Sequence, residues 1–496
     1  MPGARLPATV SEIVDFGAVV LIVAGGLFVA VATSKVGTWF PIPGPAIFLI
    51  VAAVASDVFP GLIVSIETAS RIGVVALIVI LFEGGMDVGW RRFRRAWPEI
   101  TILGVLGTFG TALVIALFAH AALDFSWTVA AVLGAALSPT DPAVMFSVLG
   151  RKEIRGRTGT TLLGESGVND PVAISLMIGA LELATDDGAS FWPAALEFVS
   201  EMAVGLALGV LGAIVLRESV RRIDLTNETL YPILALAFAG VLYGVTTLAH
   251  GSGFLAVFVA GVLFGDTRAP YKGEIERFHK SLASLAEIAV FAVLGLTISL
   301  GGFDENQIWL DGLLLAVLLA FVARPVVVGL LTLPMRFRWG ERLFVMWGGL
   351  RGAVPIMLGT LALLEGVEDG ERIYDIIFVV VAFSVLVQGT SIPYVAPRLG
   401  VPMRDSDPGG VVRRVVSAGS SAAGRTLRDL PLGERTWVHA ISRNGKLMPL
   451  GGDTVLEEGD DVELVLDVSD IDRLDELFSE GREERQPGRE GRGERG

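Results

Sequence analysis

Residues 164–170 read GESGVND inside an otherwise apolar run. On a helix, Glu165, Ser166, Asn169 and Asp170 fall at i, i+1, i+4 and i+5, one polar stripe on an apolar rod. Two carboxylates, a hydroxyl and an amide offer hard oxygen ligands and no sulfur, the donor set an alkali cation prefers. A carboxylate must give up its proton before it ligates a metal ion, so proton and cation compete for it. Placing such groups at mid-membrane costs about 2.5–3.5 kcal/mol each, so each needs a reason to be there.

Two further stretches carry such groups. SPTDPAV (138–144) sets Thr140 and Asp141 between Pro139 and Pro142. Proline removes a backbone donor and clashes with the preceding turn, which predicts a broken helix at this point. Irregular backbone at membrane depth is tolerated where it lines a wet cavity, and its freed carbonyls can ligate cations. WGGLRGAVP (347–355) holds Arg351 among glycines, with Pro355 one turn on. A buried guanidinium needs a carboxylate partner. Glu165 is the first choice and Glu83, in LFEGGMD (81–87), the second. Arg324, in VARP, is another deep cation, expected closer to the cytoplasmic side.

The elements that must position these residues are membrane spans. The 496-residue chain is 52% hydrophobic, with mean hydropathy +0.63, above what soluble domains carry. Its apolar runs reach the ~20 residues that cross a bilayer. They fall at 13–34, 42–59, 69–88, 97–120, 126–149, 157–182, 191–216, 230–249, 252–266, 281–300, 308–333, 341–364 and 373–396, thirteen in all. Basic connections such as RRFRR (91–95) and RFRWGER (336–342) alternate with acidic ones such as ATDDG (184–188) and EGVEDGE (365–371). Because Lys and Arg stay on the cytoplasmic side, the N-terminus is expected outside and the C-terminus in the cytoplasm. The opening residues read as a first span, not a cleaved signal peptide. The two interrupted spans are seven apart and run in opposite senses, as in an inverted repeat whose broken helices cross at the midplane.

Composition excludes other classes. There is no cysteine, hence no disulfide or thiolate site, and His120, His250, His279 and His439 share no metal-ligand spacing. A formal charge of −14 argues against a nucleic-acid-binding surface. A cation channel remains an alternative, with the same acids lining a continuous pore. An intramembrane aspartyl hydrolase would need two acids able to activate water, and Arg351 and Asn169 fit that poorly.

Taken in order, the TDP, GESxxND and GGLRGA motifs resemble the first branch of monovalent cation:proton antiporters, the NhaP/NHE type, over residues 10–400. The resemblance implies an all-α polytopic fold with two crossed broken helices, a dimeric assembly in the cytoplasmic membrane, and alternating access rather than enzymatic catalysis. It implies that Asp170 takes the proton or the cation in turn and that Asp141 assists through water. Thr140 would lend a main-chain carbonyl and Ser166 a hydroxyl. Asn169 would pin the crossing, Glu165 would pair with Arg351, and Glu83 would occupy a position that approaches the ion. The related electrogenic branch has two adjacent aspartates where this chain has Asn169-Asp170, which implies one proton per ion and electroneutral exchange. Na⁺ or K⁺ and H⁺ are then substrates, and no cofactor is expected.

After Leu399 the composition turns soluble. Alternation in TWVHAISRN (436–444), a turn at Asn444-Gly445, DDVELVLDV (460–468) and an amphipathic DIDRLDELF (470–478) predict a small α+β domain over 411–480. Residues 424–464 resemble the TrkA-C lobe of potassium-conductance regulators, which implies a regulatory role and leaves a nucleotide or second-messenger ligand open. No GxGxxG unit precedes it, so the Rossmann half of such regulators is expected to be absent. That kinship points to K⁺, whereas the membrane motifs by themselves favour Na⁺. Residues 481–496 are expected to be disordered.

Overall fold

A computed structural model describes residues 43–465 except 60–61, 150–151, 155, 187, 224, 226, 268, 304–306, 406–410, 433–436, 444–445 and 449, together with Gly25, Phe28, Leu477 and Phe478. The chain divides into two compact units, Met1–Met403 and Arg404–Gly496.

The first unit is helical. Its helices are α1 (Gly44–Val58), α2 (Ile66–Val88), α3 (Trp90–Ala122), α4 (Trp127–Leu137), α5 (Ala143–Leu149), α6 (Gly156–Thr185), α7 (Phe191–Arg222), α8 (Leu230–Leu248), α9 (Gly253–Gly265), α10 (Lys272–Gly295), α11 (Ile308–Thr332), α12 (Trp339–Trp347), α13 (Ala353–Leu364) and α14 (Gly370–Arg398). Among the described residues eight helices are long and apolar enough to cross a membrane, and four more are apolar but shorter. Twelve of the expected spans coincide with helices here; the first, 13–34, lies outside the described residues but for Gly25 and Phe28. Leu106, Leu113, Val210, Leu211, Val241 and Val245 are exposed, as on a surface whose solvent is lipid.

The two expected breaks are present. Helix ends at Leu137 and resumes at Ala143, and it ends at Trp347 and resumes at Ala353, so α4/α5 and α12/α13 are two interrupted spans. Helix α6 is central: it packs against α2, α3, α4, α7, α9 and α13. Its neighbours α2 and α9 meet backbone to backbone. A Cβ at Gly85 would lie 2.5 Å from the Phe258 carbonyl, and one at Gly261 the same distance from the Phe82 carbonyl. Each helix carries its glycines four residues apart (Gly85 and Gly89, Gly261 and Gly265), the small-xxx-small spacing that lets membrane helices approach closely.

In the second unit four antiparallel strands, β1 (Val411–Val415), β2 (Trp437–Arg443), β3 (Lys446–Leu447) and β4 (Asp461–Val465), pair in the order β1-β4-β2-β3. Ile441, Val462 and Leu464 form its core with Val416, Leu456 and Phe478. The expected turn at 444–445 and nearly all of the expected helix 470–478 lie outside the described residues, as does 481–496.

At the edge of this core Arg443 grips Asp460 with two bonds, Nε to Oδ1 at 2.7 Å and Nη2 to Oδ2 at 2.8 Å, and Asp460 also accepts from the Glu457 amide. The guanidinium holds the Asp460 carboxyl below the usual carboxylate range. An acid depressed in the folded state stabilises it above the unfolded pKa, about 3.9, and that contribution is lost as pH falls through the folded value. Amide exchange at Val462 and Ile441 in the full chain should therefore be slower in wild type than in Asp460→Asn at pH 7. The difference should begin to shrink only below about pH 4 and vanish as pH falls through the depressed folded value; a difference that does not shrink with acidification would contradict this role for the pair.

Candidate functional site

The two breaks touch. The Asp141 amide donates to the Leu350 carbonyl at 2.8 Å, joining Ser138–Pro142 to Gly348–Gly352. Proline explains the first break, since Pro142 starts a new helix and Pro139 cannot continue the old one. Glycines explain the second. A Cβ at Gly352 would overlap the Asp141 carboxylate, and one at Gly349 would overlap the Arg324 guanidinium. The Asp141 carboxylate accepts from the Ala143 amide at 2.8 Å and faces the Ala353 amide as well. It therefore sits at the start of both α5 and α13, where the partial positive charge of a helix N-terminus favours an anion.

Helix α6 lays its polar stripe against this crossing. Asn169 Nδ2 donates to Thr140 Oγ1 at 2.8 Å, which ties α6 to the first break. Asp170 is 4% exposed, with Asp141 as its charged neighbour, and its Oδ1 is buried without a hydrogen-bond partner among the described residues. Ser166 lies one turn earlier on the same face and is also buried. Pro171, inside α6 directly after Asp170, lacks the amide that would bond the Gly167 carbonyl.

The expected pairing of Glu165 with Arg351 needs correction. Glu165 Oε1 accepts from Arg324 Nη1 at 2.8 Å, and both side chains are at most 5% exposed. Arg324 reaches it by lying flat on Gly349, where no side chain stands in the way. Arg351, only 1% exposed, turns back on its own loop: its Nη1 donates to the Gly349 carbonyl at 3.2 Å and its amide to Ser384 Oγ at 2.9 Å. Its Nε and Nη2 are buried without a partner among the described residues, as is Glu165 Oε2, so Arg351 feels Glu165 through space without bonding it. Arg324, read from sequence as a second deep cation, is therefore the one that pairs with Glu165 in the buried cluster.

Glu83 does not bond Arg351 either. It lies on α2 within electrostatic reach of Glu287 on α10, and Glu287 in turn faces Asp141. Glu287 was not among the sequence candidates, although a lone acid in the apolar stretch SLAEIAVFAV is itself a signal that it has a partner or a task. Sequence gave no sign of three π-helical segments, Ile102–Gly107 in α3, Leu319–Ala323 in α11 and Ser384–Gly389 in α14. Each adjoins the site. Gly104 packs on Val168 and the Glu165 carbonyl, the second segment runs directly into Arg324, and Ser384 holds the Arg351 amide. Wide turns of this kind are characteristic of functional regions.

Interrupted helices that cross within the membrane, with an incompletely bonded acid beside the crossing, define the class as a secondary ion carrier. Comparison with known proteins agrees. Residues 21–397 match the sodium/hydrogen exchanger transmembrane family and residues 411–479 match the TrkA-C domain. The K(+)/H(+) antiporter NhaP of Alkalimonas amylolytica is 35% identical over 395 residues, 78% of this chain and 68% of that protein. K(+)/H(+) antiporter NhaP2 of Shewanella oneidensis is 31% identical over 92% of this chain and 82% of its own length. The sodium proton antiporter MjNhaP1 of Methanocaldococcus jannaschii shares the fold, with TM-score 0.66 and 23% identity over 76% of this chain and 99% of that one. The chain belongs to the sodium/hydrogen exchanger family.

Removing one member of a buried ion pair costs about 3–5 kcal/mol. Glu165→Gln and Arg324→Gln should each lower stability on that scale. A double-mutant cycle should give a larger coupling for 165 with 324 than for 165 with 351; the reverse order would restore the sequence expectation. Gly352→Ala should displace Asp141 and cut exchange by roughly tenfold or more, the scale on which misplacement of reacting groups acts. Wild-type turnover in that variant would mean the contact is dispensable.

Proposed function

We propose that Asp170 is the group that carries a proton and an alkali cation in turn, exchanging K⁺ for H⁺ across the membrane. The observation that supports this most directly is the unbonded, buried Oδ1 of Asp170 beside a crossing rich in oxygen donors. A carboxylate with an open coordination position in a low-dielectric site must be compensated, by a proton or by a metal ion. Asp141, Ser166 and the Thr140 carbonyl complete the oxygen set, and Asn169, committed to Thr140, holds the set in place. Coupling follows from competition, provided the carrier reorients only when Asp170 is occupied.

Asn169 adds an amide, not a second titrating acid, at the position next to Asp170, which supports one proton per cation and exchange without net charge movement. K⁺ is favoured over Na⁺ because NhaP2 of Shewanella oneidensis, named as a K(+)/H(+) antiporter, is similar over 92% of this chain, a share too large to be confined to the first unit. The Na(+)/H(+) antiporter NhaH of Halobacillus aidingensis is 30% identical over 66%. Relatives named as antiporters leave the channel reading without support. The protein works in the cell membrane as a homodimer, with its N-terminus outside and the second unit in the cytoplasm as a regulator of exchange.

In proteoliposomes, Asp170→Asn should reduce K⁺-driven proton flux to that of protein-free vesicles while the protein still folds. Residual exchange would remove Asp170 from the centre. An imposed voltage should leave the wild-type rate unchanged, and a voltage-dependent rate would rule out one-for-one exchange.

A further inference from the structure

Helix α3 runs unbroken from Trp90 to Ala122, 33 residues or about 50 Å, against a hydrocarbon core of about 30 Å. Its exposed face changes chemistry along that length. From Leu106 through Phe109 and Leu113 to Leu117 it is apolar. Before Thr101 the exposed residues are Trp90, Arg91, Arg92, Arg94, Arg95 and Trp97. Trp90, Arg94 and Trp97 recur at i, i+4 and i+7, so two indole rings flank a guanidinium on one stripe. Indoles favour the headgroup level of a bilayer, where one side is apolar and the other wet.

Arg94 and Arg95 form no hydrogen bond or ion pair among the described residues. By contrast, Arg92 is turned toward the Asp87 carbonyl, and the Arg91 amide donates to Asp266 Oδ2 at 2.5 Å, anchoring this end of α3 to the end of α9. The other end of the basic segment is clamped as well. Glu99, 4% exposed, pairs with Arg157 in the first turn of α6, the helix that carries Asp170.

We propose that Trp90, Arg94, Arg95 and Trp97 form a binding site for the phosphate of an anionic phospholipid in the leaflet they face, and that an occupied site steadies α3 against α6 through Glu99 and Arg157. The free guanidinium forks suit a phosphodiester, since Arg pairs with phosphate by two parallel bonds. Each basic residue near an anionic surface adds about a factor of five in affinity. The site is independent of which cation is exchanged.

The full-length protein, reconstituted in phosphatidylcholine with and without phosphatidylglycerol, tests this with two readouts. Emission assigned to Trp97 by difference from Trp97→Phe should be quenched more by brominated phosphatidylglycerol than by brominated phosphatidylcholine, and proton flux should rise with phosphatidylglycerol. Arg94→Gln with Arg95→Gln should weaken the phosphatidylglycerol preference by roughly 30-fold and flatten the flux response. Arg217→Gln with Arg221→Gln, on the exposed end of α7, should change neither. Equal quenching of wild type by both lipids, or a preference that survives in the Arg94/Arg95 variant, would overturn the site. An equal loss in the Arg217/Arg221 control would reduce it to general surface charge. Selective binding without any change in flux would overturn the link to α6.

Discussion

A chain inside hydrocarbon has nowhere to turn for the hydrogen bonds it leaves unmade, and this one leaves them unmade twice at the same depth. Ser138–Pro142 and Gly348–Gly352 survive there because they complete one another. The Asp141 amide takes the Leu350 carbonyl, Ser384 takes the Arg351 amide, Arg351 covers the Gly349 carbonyl, and Asn169 reaches across to Thr140. Asp141 faces the beginnings of two helices at once. The crossing is thus joined across its backbone, while buried polar atoms of Arg351 and of the neighbouring Asp170 keep no hydrogen-bond partner among the described residues.

Glu165 and Asp170 lie five residues apart on α6 and have opposite fates. Glu165 has a fixed counter-charge in Arg324, so its charge is permanently matched and its work is to hold helices together. Asp170 has no such partner among the described residues, only another acid nearby, and on the proposed function its charge is met in turn by a proton and a cation. The contrast is set by surroundings, not by residue type. Removing the matched charge should damage the fold, whereas on the proposed function removing the unmatched one should damage the cycle.

Much of this was legible in the sequence because it was written in residues with few uses. Proline and glycine in an apolar run mark breaks, and the four-residue stripe on α6 follows from helical spacing alone. The ion pair was assigned to the wrong arginine because Arg324 and Arg351 are both deep cations, and nothing in one dimension says which one finds a seat. Gly349 decides it, and a glycine beside an arginine reads equally well as a hinge. Glu287 stayed out of the candidate set because it stands alone, without a motif to draw attention to it. The wide turns were invisible for a different reason: one extra residue in a helix leaves an apolar pattern apolar.

Those wide turns carry a consequence for ancestry. Each residue advances a helix by about 100°, so a π turn shifts the angular phase of everything that follows it. Leu319–Ala323 ends at Arg324, which means the arginine points at Glu165 only with the extra residue retained. Side-chain changes within that turn leave the phase alone, whereas loss of one residue turns Arg324 away, so single-residue deletions should be rarer there than in any neighbouring stretch of α11.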